Sequence, residues 1–292
     1  MSLVEVAGLV KTFERRQVPW GRPRCIRAVD GVSFVIDEGE AFGLVGESGS
    51  GKTTTVRCLL RLVEPTAGSF AFRGEEVFGL PAARLRAMRR DMQMVFQDPD
   101  SSLNPRMTAG AIVEEGLAIH GVGSAAERRD RVRELFGLVG LDEGMTGRYP
   151  REFSGGQRQR VGIARALALK PAFLVADEPV SALDVSIQAQ VVNLLMDLQQ
   201  RLGLTLLLVA HDLRLVRHLC SRLAVMYRGR IVETGTADAV FRSPVHPYTR
   251  ALISAMPDPD PSGQQVRVHF DAAAFDPAAG LREVEPGHWA AI

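Results

Sequence analysis

The stretch Gly46-Glu47-Ser48-Gly49-Ser50-Gly51-Lys52-Thr53-Thr54 limits what this chain can fold into more than any other. It fits G-x-x-x-x-G-K-[ST], a loop that wraps phosphate. That loop works only between a strand and a helix, and both are legible. Ala41-Phe42-Gly43-Leu44-Val45 is a short apolar run ahead of it, and Thr54 to Leu62 reads as a helix behind it. Glycines let the backbone curl with its N–H groups pointing inward. The helix start adds partial positive charge. Only Lys11, Lys52 and Lys170 are lysines among 35 Lys and Arg residues. A chain that otherwise prefers arginine keeps lysine at position 52, which argues against a chance glycine turn. Gly46, Ser48, Gly49, Ser50, Gly51, Lys52, Thr53 and Thr54 form the expected phosphate-binding set. In it Lys52 is expected to reach the β- and γ-phosphates of a nucleoside triphosphate and the Thr53 hydroxyl to bind Mg²⁺.

The remaining pattern alternates strand and helix. Residues 3–10 suggest an edge strand ending near Phe13, 14–27 an exposed loop, and Ala28 to Ile36 a second strand. Met92 to Phe96, Phe173 to Ala176, Thr205 to Ala210 and Leu223 to Tyr227 read as strands, and 187–202 and Leu213 to Cys220 as helices. Between them, helical spacing at 109–120 and 125–139 reads as a helical insertion over about 98–152. Such alternation implies an α/β fold with a mostly parallel sheet.

Hydrophobic residues make up 46% of the 292-residue chain, enough for a sizeable core, and the formal net charge of +1 gives no global reason to expect nucleic acid. Cys25, Cys58 and Cys220 lack metal spacing and read as reduced thiols. No basic stretch followed by an apolar one marks the N-terminus as a secretory signal. The apolar-rich run Leu202 to Ala210 is too short to span a bilayer, so any membrane role is expected to come through a partner.

Two further elements carry chemistry. Asp177 and Glu178 follow the apolar run Phe173–Ala176, at the strand end where parallel sheets bind ligands. Asp177 is expected to hold Mg²⁺ and Glu178 to act as general base on water. Ser154-Gly155-Gly156-Gln157 precedes a helix, with Ser154 a good N-cap. A helix start with accessible N–H groups is a second anion site, although a simple capped helix fits the same residues.

Ser154-Gly155-Gly156-Gln157, between a phosphate loop and Asp177-Glu178, resembles the signature of ABC ATPases. The resemblance implies a phosphate-loop nucleotide-hydrolase core, a small antiparallel β subdomain and a helical subdomain. It implies roles for further residues. Gln97 matches the Q-loop glutamine, Asp184 of Ser181-Ala182-Leu183-Asp184 the D-loop, His211 the switch histidine, and Phe13 the aromatic that stacks on adenine. Catalysis is thereby expected from Glu178, His211 and Gln97, and metal binding from Thr53, Gln97 and Asp177.

A narrower resemblance lies in Val95-Phe96-Gln97-Asp98-Pro99, in Ser102-Leu103-Asn104-Pro105-Arg106, in the run from Asp177 to Gln190, and in His246-Pro247-Tyr248-Thr249. These are similar to the second of the two paired ATPases in oligopeptide and dipeptide importers. The resemblance implies a partner ATPase, two membrane permeases, an extracytoplasmic solute-binding protein, no nucleic acid, and a place on the cytoplasmic face of the cell membrane. Nickel importers share much of the pattern. Two rival readings stay open: an ABC-type ATPase acting on nucleic acid, which calls for a basic patch or added domain, and an ABC exporter or regulatory ATPase, of which an exporter commonly carries its own membrane helices. This chain offers neither. The matching region is expected to end near residue 256. Residues 257–292, rich in Pro, Asp, Ala and Gly and without cysteine, read as a loosely ordered extension, dispensable for hydrolysis from about 260 onward.

Overall fold

The computed structural model describes residues 1–15, 24–256 and 267–292. They form two compact units, Met1–Gly79 with Leu208–Ile292, and Leu80–Leu207.

The first unit opens with β1 (Ser2–Arg15) and β2 (Arg24–Asp37), followed by β3 (Ala41–Val45), α1 (Lys52–Leu59), β4 (Ala67–Phe72) and β5 (Glu75–Glu76). β2, β1, β4 and β5 make an antiparallel sheet in that order. The exposed loop expected over 14–27 is shorter than its composition suggests. Both strands continue into it, with Phe13 paired to Ile26 and Glu14 to Cys25, and its centre lies outside the described residues.

The second unit contains α2 (Ala82–Met88), β6 (Met92–Val95), α3 (Pro99–Ser102), α4 (Ala109–Ile119), α5 (Ala125–Leu138), two 3-10 turns, α6 (Gly155–Leu167), β7 (Phe173–Asp177) and α7 (Val185–Leu202). β6 and β7 pair in parallel. Each residue of β7 is buried, which is why its sequence reads as an unbroken apolar run rather than an alternation. α4, α5 and α6 bury Ile112, Val113, Val132, Leu135, Phe136, Val161 and Ile163. Ser124 and Glu127 close a capping box at the start of α5.

β8 (Thr205–Ala210) carries the chain back to the first unit, which then adds α8 (Leu213–Leu219), β9 (Arg222–Tyr227), β10 (Arg230–Thr236), α9 (Ala237–Arg242), α10 (Pro247–Ser254), β11 (Leu281–Glu285) and β12 (His288–Ala291). Here the sheet runs β11-β12-β10-β9-β3. β3 and β9 are parallel, and the others antiparallel. Cys58 and Cys220 are free and buried, and burial pushes the Cys58 thiol up to about 11, so it stays a neutral apolar filler.

The C-terminal segment differs from the sequence-based expectation. Within 267–292, β11 and β12 form a hairpin that extends the sheet at Glu233 and Thr234 of β10. The signal that low apolar content conceals is polar. Glu233, 0% exposed, accepts from the backbone N–H groups of Val245 at 2.8 Å and His246 at 2.9 Å, and its Oε1 lies 2.8 Å from His288 Nε2. A buried carboxylate needs such partners, and one of them comes from the hairpin.

His288→Ala removes that partner. Losing one of the hydrogen bonds to a buried carboxylate costs about 1–3 kcal/mol, so thermal unfolding should shift to lower temperature and amide exchange across 281–291 should speed up. An unchanged midpoint with full protection of the hairpin would contradict this role of the C-terminal segment.

Candidate functional site

In the first unit, the loop from Gly46 to Gly51 joins β3 to α1, with Gly51 as the N-cap residue. Two glycines are dictated by space as well as by backbone angle. Gly46 has φ 149° and a Cβ there would lie 2.2 Å from the Met226 carbonyl oxygen. Gly51 has φ 107° and its Cβ would lie 2.3 Å from the Ala28 carbonyl oxygen. No other residue takes these positions without moving β2 or β9. The loop is thereby pressed against β2 and β9, and Gly229 N–H donates to the Ser50 carbonyl at 2.8 Å to hold it there.

Lys52 is 3% exposed. Its ammonium donates to the carbonyl oxygens of Gly46 at 2.7 Å and Glu47 at 2.9 Å. The cation thus sits inside the curl of the loop. Ser50 Oγ is buried and has no hydrogen-bond partner among the described residues. An orphaned hydroxyl and a buried ammonium in one glycine-rich loop are suited to an anion with several acceptor oxygens. Glu47, Ser48 and Gly49 form the exposed rim, and Thr53 and Thr54 begin α1 half-buried.

Two other expected residues belong to this unit. Phe13, 41% exposed, offers a ring face on β1, with Lys11 Nζ 4.8 Å from its centroid. His211 is exposed just beyond β8. The next residue, Asp212, caps α8 by accepting from the Arg214 N–H at 2.9 Å. Burial acts to raise the Asp212 carboxyl, but its bonds to the Arg214 guanidinium outweigh that and hold it below the ordinary carboxylate range.

The second unit gathers the remaining candidates. Asp177 ends β7 at 1% exposed. Glu178 follows with φ 44°, a left-handed backbone that costs a non-glycine residue about 1–2 kcal/mol. The turn is fixed by Ser181, whose N–H and hydroxyl both donate to the Glu178 carbonyl, at 3.2 and 3.1 Å. Strain of this kind persists where surroundings impose it, often to aim a functional side chain. The Glu178 carboxylate accepts from Gln97 Nε2 at 2.8 Å. Gln97 itself follows β6, the strand paired to β7. Parallel pairing therefore delivers both side chains to one sheet end.

The glycine-rich helix start is built as the sequence suggests. Ser154 Oγ accepts from Gln157 N–H at 3.3 Å, and Gln157 Oε1 accepts from Ser154 N–H at 3.0 Å. Gly156 is required for packing, since a Cβ there would lie 2.5 Å from Ile187 Cγ2 of α7. Asp184 is the exposed N-cap residue of α7, and its carboxylate makes no cap hydrogen bond. The Gln97–Glu178 hydrogen bond, which joins residues 81 apart, is a contact that sequence reasoning misses.

Residues 29–181 match the ABC transporter family, and residues 232–272 match the C-terminal region of oligopeptide/dipeptide transporters. The oligopeptide transport ATP-binding protein OppF of Streptococcus mutans is 50% identical, over 99% of this chain and 94% of that protein. The dipeptide transport ATP-binding protein DppF of Lactococcus lactis is also 50% identical, over 99% and 93%. Among solved structures, the dimeric ATP-binding cassette MJ0796 in a post-hydrolysis state with ADP and Pi superposes with a TM-score of 0.71 and 32% identity, covering 80% of this chain and 98% of that one. The chain belongs to the ABC transporter family and is an ATP-binding, ATP-hydrolysing member of it.

Lys52→Ala should lose ATP binding and hydrolysis together, because neither a smaller side chain nor the remaining loop supplies a cation to the phosphates. Titration with a fluorescent ATP analogue checks this, and normal affinity in the variant would show that Lys52 does not hold the phosphates.

Proposed function

We propose that this chain is one of two ATPase subunits that energise a membrane importer of peptides or related small solutes. The observation that carries the solute class is the C-terminal match over 232–272, which holds His246-Pro247-Tyr248-Thr249, together with chain-long identity of 50% to peptide transport ATP-binding proteins. Among the described residues no helix is long and apolar enough to cross a membrane, so the reading places the chain beside two permease subunits, on the cytoplasmic face. Solute reaches the permeases from an extracytoplasmic binding protein. Nucleic acid has no part in this reading.

The residues divide the work as follows. Phe13 stacks on the adenine ring. Gly46 to Thr54 wrap the phosphates, and Lys52 trades its carbonyl partners for phosphate oxygens. Thr53, Asp177 and Gln97 supply only oxygen donors, the set that suits Mg²⁺, whose charge when bound offsets the negative charge of the β- and γ-phosphates. Glu178 takes a proton from the attacking water, and Gln97, which donates to its carboxylate at 2.8 Å, orients both. His211 donates to the γ-phosphate. Ser154, Gly155, Gly156 and Gln157 contact the nucleotide bound by the partner ATPase, and Asp184 lies at that junction. The dimeric MJ0796 cassette supports pairing of this kind.

Glu178→Gln tests the chemistry. Glutamine keeps the size and accepts from Gln97, but it cannot take a proton. Mg-ATP should still bind while single-turnover hydrolysis falls by about 10²–10⁴-fold, the scale of a general base, measured with the paired ATPase present. Near wild-type hydrolysis would shift the base to another group and sink this assignment.

A further inference from the structure

We propose that Tyr248 is a positioning residue for the phosphate loop and that the C-terminal segment, by packing on it, sets how firmly that loop is held. The proposal rests on the reading that Gly46 to Thr54 holds nucleotide phosphates. All of its parts lie within one compact unit.

The hydroxyl of Tyr248, 2% exposed, accepts a hydrogen bond from the Glu47 N–H at 2.9 Å, bridging 201 positions of sequence. The carbonyl of that same peptide group, Gly46 C=O, accepts from Lys52 Nζ at 2.7 Å. A trans peptide is planar, with N–H and C=O on opposite sides. Holding one end therefore fixes the direction of the other. Tyr248 and Lys52 grip the two ends of a single peptide plane. That plane follows a glycine at φ 149°, where the backbone has most freedom to rotate. A flip would swing the Gly46 oxygen away from the ammonium and turn an N–H in its place. The next carbonyl, that of Glu47, accepts from Lys52 Nζ at 2.9 Å and from Ser50 N–H at 3.2 Å, so the whole curl follows the orientation of its first peptide.

Tyr248 is held from behind. Its ring lies 4.4 Å from Tyr227 and meets Phe270 edge-on at 5.5 Å. Tyr227 in turn meets Phe270 at 5.2 Å and Phe275 at 4.9 Å. Tyr248 N–H donates to His246 Nδ1 at 3.1 Å, and His246 N–H donates to Glu233, the carboxylate that His288 also contacts. Phe270, Phe275 and His288 all come from 267–292. Burial pushes the Tyr248 phenol up to about 12, so it remains a neutral hydroxyl at working pH.

Tyr248→Phe keeps the ring stack and removes only the hydroxyl. The affinity for Mg-ATP should fall by about 2–10-fold, the fold-change of one net hydrogen bond, with KM rising in step and kcat at saturating ATP nearly unchanged. Amide exchange in the nucleotide-free protein should accelerate over residues 44–52 and stay unchanged in β10 and β12. Phe270→Ala, with the hydroxyl intact, should move affinity the same way by a smaller factor. Lys52→Ala, measured alongside, should lose binding outright. Wild-type affinity in Tyr248→Phe while Lys52→Ala fails to bind would overturn the positioning role and leave the phosphate-loop reading standing. Normal binding in Lys52→Ala would instead strike that reading. Uniformly faster exchange across the chain, with kcat and KM both altered, would make Tyr248 a packing residue only and overturn the proposal.

Discussion

An ammonium group held at 3% exposure is costly unless its protons meet acceptors, and the first unit is arranged around meeting them for Lys52. Its partners include two backbone carbonyls of its own loop, so the loop must curl back on the start of α1. Curling that tightly demands positive φ at Gly46 and Gly51 and leaves no space for a Cβ at either. Strands β2 and β9 and the turn after β9 supply the floor, through Ala28, Met226 and Gly229, and Tyr248 supplies a strut from the far end of the chain. In the proposed reading this cation, already enclosed by oxygen acceptors, exchanges them for phosphate oxygens with little rearrangement. Preorganisation of this sort is what makes a site effective on charge that is about to move.

The second unit solves a different problem, the aiming of a carboxylate. Glu178 takes a left-handed backbone immediately after a fully buried strand, and Ser181 and Gln97 hold its carbonyl and its carboxylate. Gln97 therefore fixes the direction in which Glu178 presents its carboxylate. The same unit uses Ser154 and Gln157 to cap α6 and uses Gly156 to bring α6 against α7.

The phosphate loop, the buried strands β3, β7 and β8, the helix start at Ser154 and the acidic pair Asp177-Glu178 are legible in the sequence because each depends on neighbours within a few positions. Apolar runs mark buried parallel strands, and glycines mark positive φ. Contacts between distant positions are not legible in this way. The bond from Glu47 to Tyr248 and that from Glu233 to His288 have no local signal. The hairpin at 281–291 reads as loose because its core-facing residues include a histidine, and because its partner strand lies about 55 positions earlier. Polar burial looks like surface until its partner is known.

Hydrolysis at this site matters to the cell only if it moves solute across a membrane that none of the described helices is long and apolar enough to cross. Vesicles carrying the permeases and partner ATPase of the proposed importer, with labelled peptide and its proposed solute-binding protein on one side and Mg-ATP on the other, test that coupling most directly. Peptide should accumulate only when this chain and hydrolysable ATP are both present, in proportion to the phosphate released. Equal accumulation without this chain, or phosphate release that never moves peptide, would contradict a role in import.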